Sequence, residues 1–296
     1  RPGLTALLMF LKPDIKVRVA STEYTPYYDM LRFFKRDYKL IDSTEENTFC
    51  PTTDEYFGKN SNQRKLLLLS NPCNPTGITR KGDELKELIE EAEASGNGVL
   101  FDEAYEFFHT PPTSSLQFVN DINNTNIFVA GAATKGLQAP GIRIGWVVAS
   151  KKYIEILGNF SSFGMGGVSQ PSQLYALKLF DKTRIELARN TISQFYDEQR
   201  EKYEKGFLEL GLKLFSGDGG FYHWCKLPDS LTAEKLNEKL FKKGAAILKG
   251  ADCDMHRLGD NSHLKNFFRF SFGPLFPDSY DNDIKILGEA INSKKG

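Results

Sequence analysis

The chain has 296 residues, and its 38 Lys plus Arg balance 38 Asp plus Glu, so no net field draws it toward nucleic acid or an anionic membrane surface. With 40% hydrophobic, 12% aromatic and 26% charged residues, the composition excludes a disordered chain and suits one large or two medium globular domains. Cys50, Cys73, Cys225 and Cys253 form no CxxC pair, which argues against a zinc module or disulfide scaffold and for a reducing, cytoplasmic setting.

The chain opens at Arg1-Pro-Gly without an initiator Met and runs at once into the apolar stretch 4–11. We therefore expect sequence to precede it. No run of 18 apolar residues exists, and the start lacks the order of a signal peptide, so no membrane segment is expected. Between residues 1 and 150, β-branched or leucine-rich runs alternate with helical patterns, as in βα units around a mostly parallel sheet. Strands are predicted over 16–20, 66–70, 98–102, 127–131 and 144–149. Over 82–95, Leu85, Leu88, Ile89 and Ala92 recur at helical spacing with Glu and Lys opposite, the pattern of a surface helix.

Residues 171–212 read as long helix, able to carry the chain from one domain to another. After Gly217-Asp-Gly-Gly the pattern gives a strand over 221–225, a helix over 232–243, strands over 245–248 and 267–272, and a closing helix over 281–292. The expected fold class is α/β: a mostly parallel sheet sandwiched by helices over 1–200, with a smaller C-terminal α+β domain over 201–296.

In open α/β sheets, ligands bind at the carboxyl ends of strands, and three predicted strands end in unusual residues. The first runs into Ser70-Asn-Pro-Cys-Asn-Pro-Thr-Gly77, where Asn71 and Asn74 present amides from a proline-stiffened loop; the plainer alternative is simple turn chemistry. The second ends at Asp102, a carboxylate closing an apolar strand. It either meets a cation or caps a helix. The third leads to Thr134-Lys135-Gly136, with Arg143 eight residues beyond the lysine. A lysine near a sheet interior can lose its proton and attack carbonyls, although most lysines are surface residues.

Together and in this order, these segments resemble the fold-type-I pyridoxal-phosphate enzymes, specifically the class I/II aminotransferases. The resemblance extends from Gly3 to the Arg269-Phe-Ser271 segment. It implies that Lys135 carries pyridoxal phosphate as a Schiff base and then acts as general base. Asp102 is implied to pair with the pyridine nitrogen, Tyr105 and Asn74 to bond the ring hydroxyl, and Arg143 to grip the phosphate. By the same resemblance Gly3, Leu4 and Thr5 form a phosphate loop at a helix N-terminus, with Thr134 a further cofactor contact and Tyr24 stacked on the ring. Residues 7–11 could equally be a plain buried helix, and Tyr24 a core tyrosine. Arg269, alone among phenylalanines in Phe267-Phe-Arg-Phe-Ser-Phe, is implied to bind the substrate α-carboxylate, with Asn74 beside it. No metal is expected.

Departures from the family pattern stand beside the matches. Ala132 replaces a serine that often binds the phosphate. The stretch 159–170 lacks the arginine that dicarboxylate-specific members place there, which disfavours aspartate and glutamate through that device. The N-terminal arm, and the segment that would carry a partner's residue to the phosphate of a homodimer, would fall before Arg1. The function implied is a ping-pong aminotransferase acting on an amino acid and a 2-oxo acid. A β-eliminating lyase or cyclopropane-forming synthase on the same scaffold is the first alternative. A cofactor-free interaction protein is the second.

Overall fold

The computed structural model describes residues 1–58 and 63–293. In chain order the main elements are α1 (Pro2–Phe10), β1 (Lys16–Ala20), α2 (Pro26–Phe33), β2 (Tyr38–Ile41), α3 (Thr53–Phe57), β3 (Lys65–Ser70), α4 (Gly82–Ser95) and β4 (Gly98–Asp102). There follow β5 (Ile127–Ala132), β6 (Gly145–Val148), α5 (Lys151–Met165), α6 (Gln170–Leu179) and α7 (Lys182–Glu209). The chain ends with β7 (Lys213–Leu214), β8 (Tyr222–Lys226), α8 (Ala233–Phe241), β9 (Leu248–Lys249), β10 (Phe267–Ser271) and α9 (Tyr280–Asn292). No helix among the described residues is long and apolar enough to cross a membrane.

The first sheet has the order β2-β1-β3-β4-β5-β6. Its pairs are parallel except the last, in which β6 runs against β5. Alternation along the strands feeds two cores, because successive side chains leave opposite faces. Leu66, Leu68, Leu100 and Phe128 meet Leu4, Leu7 and Leu8 of α1 and Tyr27 and Leu31 of α2. Their neighbours Leu67, Leu69, Val99, Phe101, Ile127 and Val129 meet Leu85, Leu88, Ile89 and Ala92 of α4. The predicted apolar face of α4 is therefore the buried one.

The second sheet is antiparallel, in the order β7-β8-β10-β9. One face, with Cys225 and Phe268, packs on Tyr203 and Phe207 of α7 and on α8 and α9. The other, with Trp224 and Phe267, packs on Phe49 from the first half of the chain. Helix α7 crosses between the cores: Ile185 and Ile192 join Tyr105, Phe107 and Phe108, while Tyr203 and Phe207 join the second sheet.

Several elements differ from expectation. The predicted continuous helix over 171–212 breaks at Phe180-Asp181, where the Asp181 carboxylate accepts a bond from Arg184 N–H at 3.0 Å and starts a new helix; an N-cap acid offers the backbone donors a partner that continued helix does not. The expected strand over 245–248 is reduced to Leu248–Lys249. There Asn237, from α8, takes both polar backbone groups of Ile247, accepting from its N–H and donating to its carbonyl, each at 3.0 Å. Strand β2 and helix α5 have no counterpart in the sequence reading.

Candidate functional site

Because β3, β4 and β5 are parallel neighbours, their carboxyl ends reach one edge together. They deliver the Ser70–Gly77 turn, Asp102, and the loop holding Thr134 and Lys135 to a cavity of about 1020 Å³. Tyr105, Arg143 and Arg269 also line it, as do Gly3, Leu4 and Tyr24 from the chain start. Thr5 is the exception among the predicted residues. Its hydroxyl is turned away to the Met30 sulfur at 3.8 Å, since successive helical residues rotate by about 100° and position 5 falls on a different side of α1 from Leu4 and Ala6, which line the cavity.

Asp102 stands at the cavity wall. The Tyr27 hydroxyl donates to its Oδ2 at 3.0 Å and the Ala104 N–H to its Oδ1 at 3.2 Å. Burial nevertheless raises its pKa above the ordinary carboxylate value; the two bonds offset that only in part. An acid in this state favours a cation placed against it.

Lys135 shows the complementary perturbation. Burial, and then the positive charge of Arg269, lower its pKa. Its Nζ lies 5.0 Å from the centre of the Phe221 ring and 5.7 Å from that of Tyr105. The aromatic walls thus desolvate the amine and leave a larger fraction uncharged, which is what a nucleophile or base requires.

Arg269 reaches the site from β10. Its Nη1 donates to Asn74 Oδ1 at 2.6 Å, its guanidinium carbon sits 4.4 Å from the centre of the Tyr222 ring, and its buried Nε meets no hydrogen-bond partner among the described residues. A buried donor left open invites an acceptor. The Tyr105 and Tyr222 hydroxyls bond each other across the two sheets; burial pushes the Tyr105 phenol up to about 12.

At the opposite end, α1 points its N-terminus into the cavity. Its first internal bond runs from Thr5 N–H to Arg1 O at 2.9 Å, which leaves the Gly3 and Leu4 N–H groups outside the helical ladder and suited to an anion. Arg143 is exposed nearby, in the left-handed region at φ 55°, with its Nη1 on the Pro140 carbonyl at 2.6 Å. Arg1 donates from Nη2 to the Tyr24 hydroxyl at 2.7 Å. Among the described residues no group of three or more His, Cys, Asp or Glu could hold a metal ion.

The linear reading missed Tyr27, Ser70, Phe221, Tyr222 and Glu23. Glu23 and Tyr27 lie inside the segment that Tyr24 drew attention to, but their partners are 47 and 75 positions away. Neither carries a local pattern that separates it from an ordinary core residue.

The family model for aminotransferase class I and II matches residues 3–280. The probable aspartate/prephenate aminotransferase of Aquifex aeolicus is 24% identical over 226 residues, covering 75% of this chain and 56% of that protein. The aspartate aminotransferase of Pyrococcus abyssi is 26% identical over 252 residues, covering 84% and 64%. The chain therefore spans roughly three fifths of the length of these relatives. In fold it is similar to the solved aspartate aminotransferase of Thermus thermophilus with maleate, at a TM-score of 0.84 and 20% identity over 97% of this chain and 73% of that one.

Proposed function

This chain belongs to the aminotransferase class I and II family, and from that premise we propose that it is a pyridoxal-phosphate-dependent aminotransferase. It moves an amino group between an amino acid and a 2-oxo acid in two half reactions. One observation carries the reading: a single cavity joins a lysine of lowered pKa, an acid of raised pKa, and an anion-binding helix end with arginines beside it.

That donor set fits the cofactor. Asp102, at the cavity wall with its pKa raised by burial, would take the protonated pyridine nitrogen, while Arg143 and the Gly3 and Leu4 N–H groups would take the phosphate. Tyr24 offers a ring face, Asn74 and Tyr105 offer bonds to the ring hydroxyl, and Thr134 adds a hydroxyl at the cavity wall. Bound there, pyridoxal phosphate supplies an electron sink for the pair left behind at the substrate Cα.

The remaining work belongs to the chain. Lys135 would hold the cofactor through Nζ; once displaced, the same nitrogen would take the proton from the substrate Cα and pass it on to the cofactor carbon. Its lowered pKa keeps the base form available. Asp102 holds the proton on the ring nitrogen through the cycle. Arg269 offers its open Nε and remaining nitrogen to the substrate carboxylate and fixes which Cα bond faces Lys135. The aromatic walls at Phe221 and Tyr105 keep water from the amine.

We further read the chain as two bodies, residues 1–200 and 201–296, which close over the substrate through Arg269, in a cytoplasmic homodimer. The test is spectroscopic. Before any amino acid is added, borohydride should label Lys135 in the cofactor-loaded protein; with one amino acid but no oxo acid, the protein should convert its bound cofactor once to pyridoxamine phosphate. Continuous release of pyruvate, ammonia or thiol would instead identify a lyase.

A further inference from the structure

Behind the cavity lies a second buried acid that the reading above does not use. Glu23 is 2% exposed and follows β1. Every neighbour bonded to it is a donor. Its Oε1 accepts from the Ser70 hydroxyl, from Tyr24 N–H at 2.9 Å and from the Cys73 thiol at 3.8 Å; its Oε2 accepts from Ser70 N–H at 3.3 Å. Ser70 in turn accepts from Asn74 N–H at 3.1 Å, and the Asn74 side chain accepts from Arg269 at 2.6 Å. The direction of each bond is therefore set: Arg269 donates to Asn74, Asn74 to Ser70, and Ser70 to Glu23.

We propose that Glu23 is a positioning residue whose ionised carboxylate anchors the chain Ser70–Asn74–Arg269 and so holds the guanidinium in place for a substrate carboxylate. The inference rests on the aminotransferase reading for the identity of that carboxylate, and on the hydrogen bonds alone for the anchoring. A set of four donors with no acceptor suits a carboxylate and not a carboxylic acid or an amide. A protonated Glu23 would turn an O–H into that set, and the Ser70 hydroxyl would lose its fixed direction.

The anchor is sensitive to acidity near neutral pH, because burial raises Glu23 to about 7 against the pull of its bonds to Ser70 and Tyr24. The groups facing it are Asp102 at the end of β4, Cys73 after β3, Tyr27 on α2, Tyr56 on α3 and Cys253 ahead of β10. Burial pushes both thiols and both phenols upward. Of this set, Glu23 is the group raised to about 7.

Propionate serves as the probe, being a monocarboxylate with no second group to recruit other residues. It is titrated by calorimetry into the pyridoxal-phosphate-loaded wild type and into Glu23→Gln, Glu23→Asp and Ser70→Ala, across about pH 6 to about pH 8.5. Wild-type affinity should rise through the neutral range. In Glu23→Gln the affinity should be about tenfold weaker at the upper end and flat with pH, with cofactor retention unchanged, and Glu23→Asp should recover part of the loss. Ser70→Ala should weaken binding to a similar extent. Affinities within about twofold of wild type in both Glu23→Gln and Ser70→Ala, with the pH dependence intact, overturn the proposal. If Glu23→Gln does not fold, Ser70→Ala and the wild-type pH curve decide by the same criteria. Failure of the aminotransferase reading looks different: the wild type then retains no pyridoxal phosphate, while propionate calorimetry on the cofactor-free protein still compares the variants.

Discussion

Asp102 carries two features that separate its role from plain cofactor binding. It is bonded by Tyr27 and Ala104, so its position survives without a ligand; its raised pKa means that a cation opposite it is favoured electrostatically as well as geometrically. Asp102→Ala should therefore lower kcat by about two orders of magnitude while weakening pyridoxal phosphate retention by less than about tenfold, since the phosphate and Lys135 still hold the cofactor. Equal losses in stopped-flow turnover and in cofactor dissociation would show that the acid merely binds. At this scale the sequence was informative wherever a strand ended in a charge, as at Asp102 and Lys135, because parallel strands bring such ends together. It was silent on Glu23 and Tyr27. Their function lies in contacts with residues that the fold alone brings near, and the side chains carry no local pattern that distinguishes them from ordinary core groups.

At the scale of elements, period and burial explain which ones were legible. Strands β3, β4 and β5 are continuous apolar runs, and α4 has a clean apolar stripe, so both kinds announce themselves. Strand β2 is only Tyr-Lys-Leu-Ile, half-exposed at Tyr38 and Leu40 and exposed at Lys39, and so short an alternation carries little signal. Helix α5 has no fully buried residue. Tyr153 and Leu157 touch the first core, while Ile154, Phe160 and Met165 line the cavity, so its apolar face is shared between core and cavity and is buried by neither. Helix α7 makes an argument of its own. Gly206 is a poor helix former, yet a Cβ there would lie 2.6 Å from Ile284 Cδ1 and 2.7 Å from the Tyr280 hydroxyl, so it is the close approach of α7 to α9 that calls for glycine. Gly206→Val should destabilise the protein by about 2 kcal/mol in urea unfolding despite the gain in helix propensity; an unchanged or raised midpoint would mean that α9 moves away freely.

For the whole molecule, two buried groups set opposing responses to acid. His223 is 1% exposed; its Nε2–H donates to Arg200 O at 3.0 Å, and its Nδ1 accepts from the Ser216 hydroxyl at 3.0 Å. Burial lowers it from 6.5 to about 4, so its contribution is present above pH 6.5 and is lost as pH falls toward 4. Glu23 is raised from 4.5 to about 7, so its contribution is present below 4.5 and is lost as pH rises toward 7. Each shift corresponds to about 3 kcal/mol, and the two windows overlap, so the two groups oppose each other there; Glu106, also raised to about 7 by burial, adds to the Glu23 side. His223→Gln should be less stable than wild type at neutral pH and recover about 3 kcal/mol relative to it as pH falls toward 4. Parallel unfolding curves for the two proteins across that range would refute the assignment.

Phe163 is 67% exposed, and on the next helix Leu174 is 58% and Leu177 69% exposed, a concentration of large apolar groups beyond the scattered exposure normal for a monomer. Phe10, Phe160 and Phe163 pack edge to face into one patch. Phe160, Met165 and Val168 lie at the cavity rim, so whatever covers this face also borders the site. In a homodimer built on it, each copy closes one wall of the other's cavity. The variant Phe163→Asp puts a charge in that patch and should shift sedimentation from dimer to monomer. Because α1, Asp102 and Lys135 remain in place, the monomer should fold normally but hold pyridoxal phosphate about tenfold more weakly, having lost a wall of its cavity. A wild type that sediments as a monomer at micromolar concentration, or a variant that stays dimeric with full cofactor affinity, would place the interface elsewhere.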